Sequence, residues 1–326
     1  MLGKPVEKRR RKTIGPEKAA SCNEIVRICV AFLFVKVKGV KIVDMKDDDV
    51  SVETALEDND DQTDARFVKM TLDSGVAPLE IRYSQINSCY KKTPVAYRSY
   101  TYINSVVEGV VSPEKYSYAS DETEVGIRLA NFNLKAAMDA VEKFIIAGRD
   151  IEFISVRIPP KMVLEDDFYS VIKTVLDKND FKFPDKLCLE FPRTVLFEDE
   201  EKVRLAILSM KLLKVKTMMS GCGEKDSPVT PLVNLPFDYL VLSPFITTLI
   251  DNRDKGNVVS SFLAFLRDIP SNVIGDGVYN DDQITALSRA DCFGYIPSSG
   301  YEGDVSHGRL RMPLDEALAQ KEEEEF

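Results

Sequence analysis

Tryptophan is absent from this 326-residue chain, and histidine occurs once, as His307 near the C-terminal end. A single histidine excludes most nucleophilic sites that pair serine or cysteine with a histidine base, unless the C-terminal segment folds back. The six cysteines show neither CxxC nor CxH spacing. The sequence therefore does not support a zinc site and favours the reduced thiols of a cytoplasmic protein.

Basic charge and long apolar runs are also scarce. The net charge is −10, so we expect no nucleic-acid partner, although residues 8–12 (KRRRK) form a basic stretch that is either a solvated tail or a binding arm. The longest apolar run, residues 28–35 (ICVAFLFV), is far shorter than the roughly 20 residues that cross a bilayer. We expect no membrane span and interpret this run as a buried strand.

Composition divides the chain into four parts. Residues 1–23 predict a disordered basic tail, and residues 24–65 predict a small β-rich extension followed by an acidic linker. Residues 66–305 predict the main domain. Residues 306–326, which end in KEEEEF, predict a disordered acidic tail.

The main domain alternates strand-like and helix-like segments. Seven segments read as strands: residues 81–87, 97–103, 151–158, 186–191, 215–220, 237–243 and 271–278. Helical spacing of apolar residues occurs in 133–147, 168–177, 200–213, 258–267 and 281–288. Such alternation is typical of a parallel sheet, and this number of units favours an α/β fold of the (β/α)8 TIM-like barrel type.

Several motifs occur in the order of one known family. They are GVVSPEKYSYASDE (109–122), ISVRIPPKMVLEDDF (154–168), KLCLEFPRTVLF (186–197), FDYLVLSPF (237–245) and VIGDGVY (273–279). The chain thereby resembles EAL-type cyclic di-GMP phosphodiesterases from about residue 68 to about residue 297. The resemblance implies an EAL-type barrel and a role in bacterial second-messenger signalling.

Activity in that family depends on carboxylates and amides that hold two divalent cations at the C-terminal ends of the strands. The resemblance assigns these ligand and catalytic positions to Arg98, Arg157, Glu190, Arg193, Met218, Met219, Val241, Ser243, Asp276 and Tyr279. Only Glu190 and Asp276 remain as plausible metal ligands. Because two hard cations need several oxygen donors each, the resemblance predicts a degenerate member with no catalytic residue, metal or cofactor.

The substituted positions leave alternatives open. Arg98, Arg157 and Arg193 either bind phosphates or the carboxylates of a partner, or Arg98 and Arg157 pair internally with Glu190 and Asp276. Met218 and Met219 either fill the vacated pocket or form an adaptable partner groove.

Three functions compete on this evidence. The first is an inactive EAL domain that acts as a regulatory module through an unknown protein partner, with a homodimer as a further expectation. The second is a sensor that binds cyclic di-GMP without cleaving it, although the family's ligand-binding strand arginine falls on Tyr102. The third is a residual cyclic di-GMP phosphodiesterase.

Overall fold

The computed structural model describes residues 79–105, 109–224, 227–252, 254–298 and 311–320. The predicted basic tail, β-rich extension and acidic linker of residues 1–65 lie outside these ranges. Within them, no helix is both long enough and apolar enough to cross a membrane.

Among the described residues, nine strands form one sheet. They are β1 (Leu79–Ser88), β2 (Pro94–Ser105), β3 (Gly109–Val111), β4 (Ile154–Arg157), β5 (Leu187–Pro192), β6 (Lys216–Cys222), β7 (Tyr239–Leu242), β8 (Asn272–Val278) and β9 (Gly294–Pro297). Their order is β1-β9-β8-β7-β6-β5-β4-β2-β3, and β1 also pairs with β2. That extra pairing closes eight of the strands into a barrel, as the sequence predicted, and leaves β3 appended to β2.

The helices connect successive strands and surround the barrel. They are α1 (Pro113–Asp121), α2 (Glu124–Ile146), α3 (Pro160–Val163), α4 (Phe168–Lys178), α5 (Glu200–Leu212), α6 (Val229–Asn234), α7 (Pro244–Thr247), α8 (Gly256–Arg267), α9 (Asp281–Arg289) and α10 (Leu314–Ala319). Among the five predicted helices, the bounds of α2 differ most from the prediction, since it begins nine residues before the predicted start at residue 133. Its first two turns carry Val125, Gly126, Leu129 and Ala130, which are buried and continue the apolar face.

Strand alternation separates two apolar layers. Interior side chains such as Ala96, Phe153 and Met218 fill the lower barrel. Residues of the opposite parity face the helices, where the Tyr97 ring packs 4.8 Å from that of Phe144 on α2. The barrel interior is therefore a packed core, which leaves the C-terminal rim of the parallel strands as the place for a site.

Strand β1 gives the barrel an irregular seam. It is antiparallel to both neighbours and pairs with β9 only at Asn87 and Ser88. Nearer the start of β1, Tyr83 exchanges two backbone hydrogen bonds with Met312, of 2.8 and 2.9 Å. The segment before α10 thus covers the part of the β1 edge that β9 does not reach.

Part of the segment that was expected to be a disordered tail, residues 306–326, is ordered. Residues 311–320 are ordered on the barrel: Met312 and Ala317 are buried, and Arg149 Nη1 donates a 2.8 Å hydrogen bond to the Leu318 carbonyl. The acidic end of the sequence suggested a solvated tail. However, two apolar side chains and the unpaired strand edge are sufficient to hold this segment.

Candidate functional site

The centre of the rim is a buried group of one arginine and two carboxylates. Arg98 on β2 donates from Nε to Glu190 Oε2 at 3.0 Å and from Nη2 to Glu190 Oε1 at 2.5 Å. Its Nη1 donates to Asp276 Oδ2 at 2.8 Å. The Arg98 side chain is 10% exposed, and those of Glu190 and Asp276 are 5% and 25% exposed. One guanidinium therefore links strands β2, β5 and β8.

Local backbone structure aims these side chains at each other. Arg98 shares the inward parity of Ala96, and Glu190 shares that of Cys188. On β8, the register shifts between Asp276 and Val278, where Gly277 adopts a φ of +75°. A bulge of this kind re-aims the neighbouring side chain, and here it adjoins the Asp276 carboxylate that reaches Arg98.

The two carboxyl groups respond oppositely to this environment. Burial alone would raise the pKa of Glu190, but the charge and hydrogen bonds of Arg98, with a hydrogen bond from Ser220, lower it below its ordinary value. For Asp276, burial prevails over Arg98 and raises the pKa. Arg98 itself is held in its charged form, since its carboxylate partners raise its pKa against the effect of burial.

The other two predicted arginines pair elsewhere. Arg157 donates to both oxygens of Asp121, at 2.5 and 2.8 Å, so the expected pairing of Arg157 with Glu190 or Asp276 is wrong. Arg193, just beyond β5, donates to Glu224 in the loop after β6. Each of the three arginines thus has a carboxylate partner within the chain.

The two methionines do not share one pocket. Met218 lies in the interior cluster of the barrel, whereas Met219 faces the helices and belongs to the outer layer. The next inward position, Ser220, reaches the rim and contacts Glu190. The expectation that both methionines fill the vacated site therefore applies to Met218 alone, because adjacent residues of a strand point to opposite faces.

In the described part of the chain, the hydrogen bonds of Arg98 go to Glu190 and Asp276 and not to the three remaining predicted positions. Val241 is buried in the interior cluster. Ser243 is buried, and its Oγ has no hydrogen-bond partner among the described residues. Tyr279 is 40% exposed.

A cavity of about 230 Å³ opens beside the Arg98 group. Its walls come from β2, α1, α2 and the ends of β4 to β6. They include Arg98, Tyr100, Glu114, Asp121, Asn133 and Arg157. The lining is mixed in charge, so the cavity is suited to a polar molecule.

Comparison with known protein families identifies the family of this domain. The family model of the EAL domain matches residues 78–295. The chain belongs to the EAL domain family. The resemblance inferred from its motifs is thereby confirmed.

Solved EAL structures share the fold at low identity. The phosphodiesterase PaMucR, in a c-di-GMP complex, superposes with a TM-score of 0.66 at 15% identity, covering 78% of this chain and 99% of that one. The EAL domain of FimX gives 0.64 at 10% identity, covering 81% and 98%. An uncharacterized signaling protein of Caulobacter vibrioides is 27% identical over 110 residues, which are 33% of this chain and 14% of that protein.

EAL domains are usually phosphodiesterases, and their activity depends on two divalent cations. Both acids that could bind them, Glu190 and Asp276, already accept hydrogen bonds from Arg98. No group of three or more His, Cys, Asp or Glu residues in the described ranges is placed to hold a metal ion. A unit charge about 4 Å from Arg98 would be opposed by roughly 4 kcal/mol at an effective dielectric of about 20. These residues do not fit the metal pair.

Sequence reasoning missed Arg311, which enters the rim from the segment before α10. Its guanidinium carbon lies 3.8 Å from the centroid of the Tyr100 ring, and Nη1 donates to Tyr102 Oη at 2.9 Å. Arg311 also pairs with Glu114 of α1. No motif marks this residue, since its position depends on the strand edge at Tyr83 and not on local sequence.

Proposed function

We propose that this EAL domain does not hydrolyse cyclic di-GMP and acts as a regulatory module of cyclic di-GMP-type signalling in the bacterial cytoplasm. One observation carries the proposal: the Arg98 guanidinium stands between Glu190 and Asp276, at the rim where the family places its cations. In two-metal hydrolysis a pair of cations activates the attacking water, and carboxylates must be free to hold those cations. Here the charge comes from a side chain that cannot ionise water.

Exposed apolar residues support action through protein contact. Leu205, Leu208 and Leu212 lie on α5 at spacings of three and four residues, and they are 54%, 36% and 78% exposed. Residues so spaced share one face of a helix. The domain therefore presents an apolar stripe suited to a partner protein or to a second copy of the chain.

A hydrolysis assay tests the inactive state. The domain is incubated with cyclic di-GMP and Mg²⁺ or Mn²⁺, and the products are separated by chromatography, with the PaMucR phosphodiesterase as the active control. We expect no linear product from this domain. A linear dinucleotide whose formation is lost in Glu190→Ala would refute the proposal and establish a residual phosphodiesterase.

Binding without cleavage is the second candidate, and the cavity beside Arg98 supports it because its lining includes the aromatic side chain of Tyr100. Calorimetric titration with cyclic di-GMP, with and without divalent metal, separates it from the first. Saturable heat without product would identify a sensor. Titration without heat, together with co-purification of a partner that Leu208→Glu abolishes, would identify the interaction module.

A further inference from the structure

Arg311 differs from the other rim arginines in the carboxylate that it holds. The Glu114 side chain is 57% exposed, whereas Glu190 and Asp121, which hold Arg98 and Arg157, are 5% and 7% exposed. An exposed carboxylate regains water when it leaves its partner, so its release costs little. A buried carboxylate cannot be released without a large desolvation penalty.

The guanidinium itself stays in place without Glu114. It stacks on Tyr100 at 3.8 Å and lies 5.9 Å from the centroid of Tyr102, whose hydroxyl accepts its hydrogen bond. Two backbone hydrogen bonds between Met312 and Tyr83 hold the adjacent backbone. Arg311 is therefore a preorganised cation, and planar guanidinium groups bind phosphate and carboxylate oxygens in the same bidentate way.

The adjoining cavity contains a second unused polar group. Asn133 on α2 is 5% exposed, lines the cavity, and its Oδ1 has no hydrogen-bond partner among the described residues. Glu114 and Tyr100 line the same cavity. A buried acceptor without a partner is costly, so a ligand with an N–H or O–H donor would relieve it.

We propose that Arg311 is the anion-binding group of this rim, and that Glu114 occupies it as a built-in competitor which the phosphoryl group of a small ligand displaces. The ligand is a phosphate-bearing molecule that also carries a hydrogen-bond donor. This site is separate from Arg98, whose three hydrogen bonds are taken by Glu190 and Asp276. Arg193 is less suited, because the aromatic ring beside its guanidinium, that of Phe197, has its centroid 6.0 Å away.

Calorimetry with inorganic pyrophosphate tests the anion site directly. Glu114→Gln removes the competing charge and keeps the side-chain shape, so we expect it to bind about tenfold more tightly than the unchanged protein. Arg311→Ala should weaken binding by about tenfold or more. Glu124→Gln, which removes an exposed carboxylate at the start of α2, is the matched control and should leave affinity unchanged.

Thermal unfolding shows whether each variant is folded. If Arg311→Ala is not folded, the affinity of Glu114→Gln alone decides the test. A second titration with cyclic di-GMP identifies the source of the phosphate. The same ranking of variants would indicate a nucleotide, and a response to pyrophosphate alone would indicate a free phosphate. Equal affinity of Glu114→Gln and Glu124→Gln, or no binding of either probe, would overturn the inference. The hydrolysis assay above is independent of this outcome.

Discussion

Arg98 and Glu190 lie 92 positions apart in the sequence and form a bidentate ion pair inside the barrel, with N–O distances of 2.5 and 3.0 Å. Both side chains are nearly inaccessible to water. A buried ion pair is often no more stabilising than apolar residues of the same volume, but breaking it leaves one charge uncompensated. The pair therefore makes each partner dependent on the other.

Single and double substitutions test this dependence. We expect Arg98→Leu to lower the free energy of unfolding by roughly 3–5 kcal/mol, because Glu190 then remains buried without its counter-ion. The double variant with Glu190→Leu should recover most of the loss. Denaturant unfolding measures all three proteins. Arg204→Leu, which removes an exposed pair with Glu201, is the control and should have no measurable effect. Additive losses in the double variant would contradict the coupling.

Acid stability should depend on Glu190. Its folded pKa lies below the ordinary value of 4.5, so its contribution is fully present above pH 4.5 and is lost as the pH falls through the lowered pKa. The free energy of unfolding of Glu190→Gln should therefore fall less than that of the unchanged protein as the pH decreases below 4.5. Urea unfolding at a series of pH values gives the two slopes, and parallel slopes would rule out the assigned shift.

Asp276 should change the pH dependence of stability in the direction opposite to that of Glu190. The pKa of Asp276 in the folded state is raised above the ordinary value of 3.8, so protonation of Asp276 stabilises the folded state at low pH. This stabilisation is lost as the pH rises from 3.8 through the interval up to the raised pKa. In Asp276→Asn this loss should disappear, which the same titration measures. A variant whose stability still falls over the interval would show that another group is responsible.

The segment before α10 should contribute to the stability of the whole barrel. Met312 is 1% exposed and is packed in the outer apolar layer. We expect Met312→Ala to cost roughly 2–5 kcal/mol, as for other buried large-to-small substitutions. Glu316→Ala, at an exposed position of the adjoining helix α10, is the control. A segment that only rests on the surface would give equal, small effects for both variants in thermal unfolding.

Substitution of two glycines with positive φ allows the stability cost of backbone strain to be measured apart from the cost of a steric clash. Gly277 has a φ of +75°, and a Cβ there would lie 2.8 Å from Pro244 Cβ. Gly148 has a φ of +72° with no atom within 4 Å of its Cβ position. Gly148→Ala should cost about 1 kcal/mol from strain alone, and Gly277→Ala should cost more. Equal losses in denaturant unfolding would show that Pro244 moves aside.

The sequence was sufficient for the features that depend on local pattern. Alternation placed all seven predicted strands, and the ordered motifs gave the family. The partners of the rim arginines were not predictable, because Arg157 at the end of β4 meets Asp121 at the end of α1, 36 positions away in the sequence, and no local pattern marks that contact. Similarly, the resemblance assigned both Met218 and Met219 to the site, whereas strand parity brings Ser220 there.

The Arg98 group also has a consequence for the surroundings in which the barrel can exist. A metal ion at a protein site exchanges with the medium and is removed by chelators, and a fold that relies on it weakens accordingly. Here the positive charge is covalently attached, so no change in magnesium or manganese supply can withdraw it. The mouth of this barrel should keep its shape in cells starved of divalent ions.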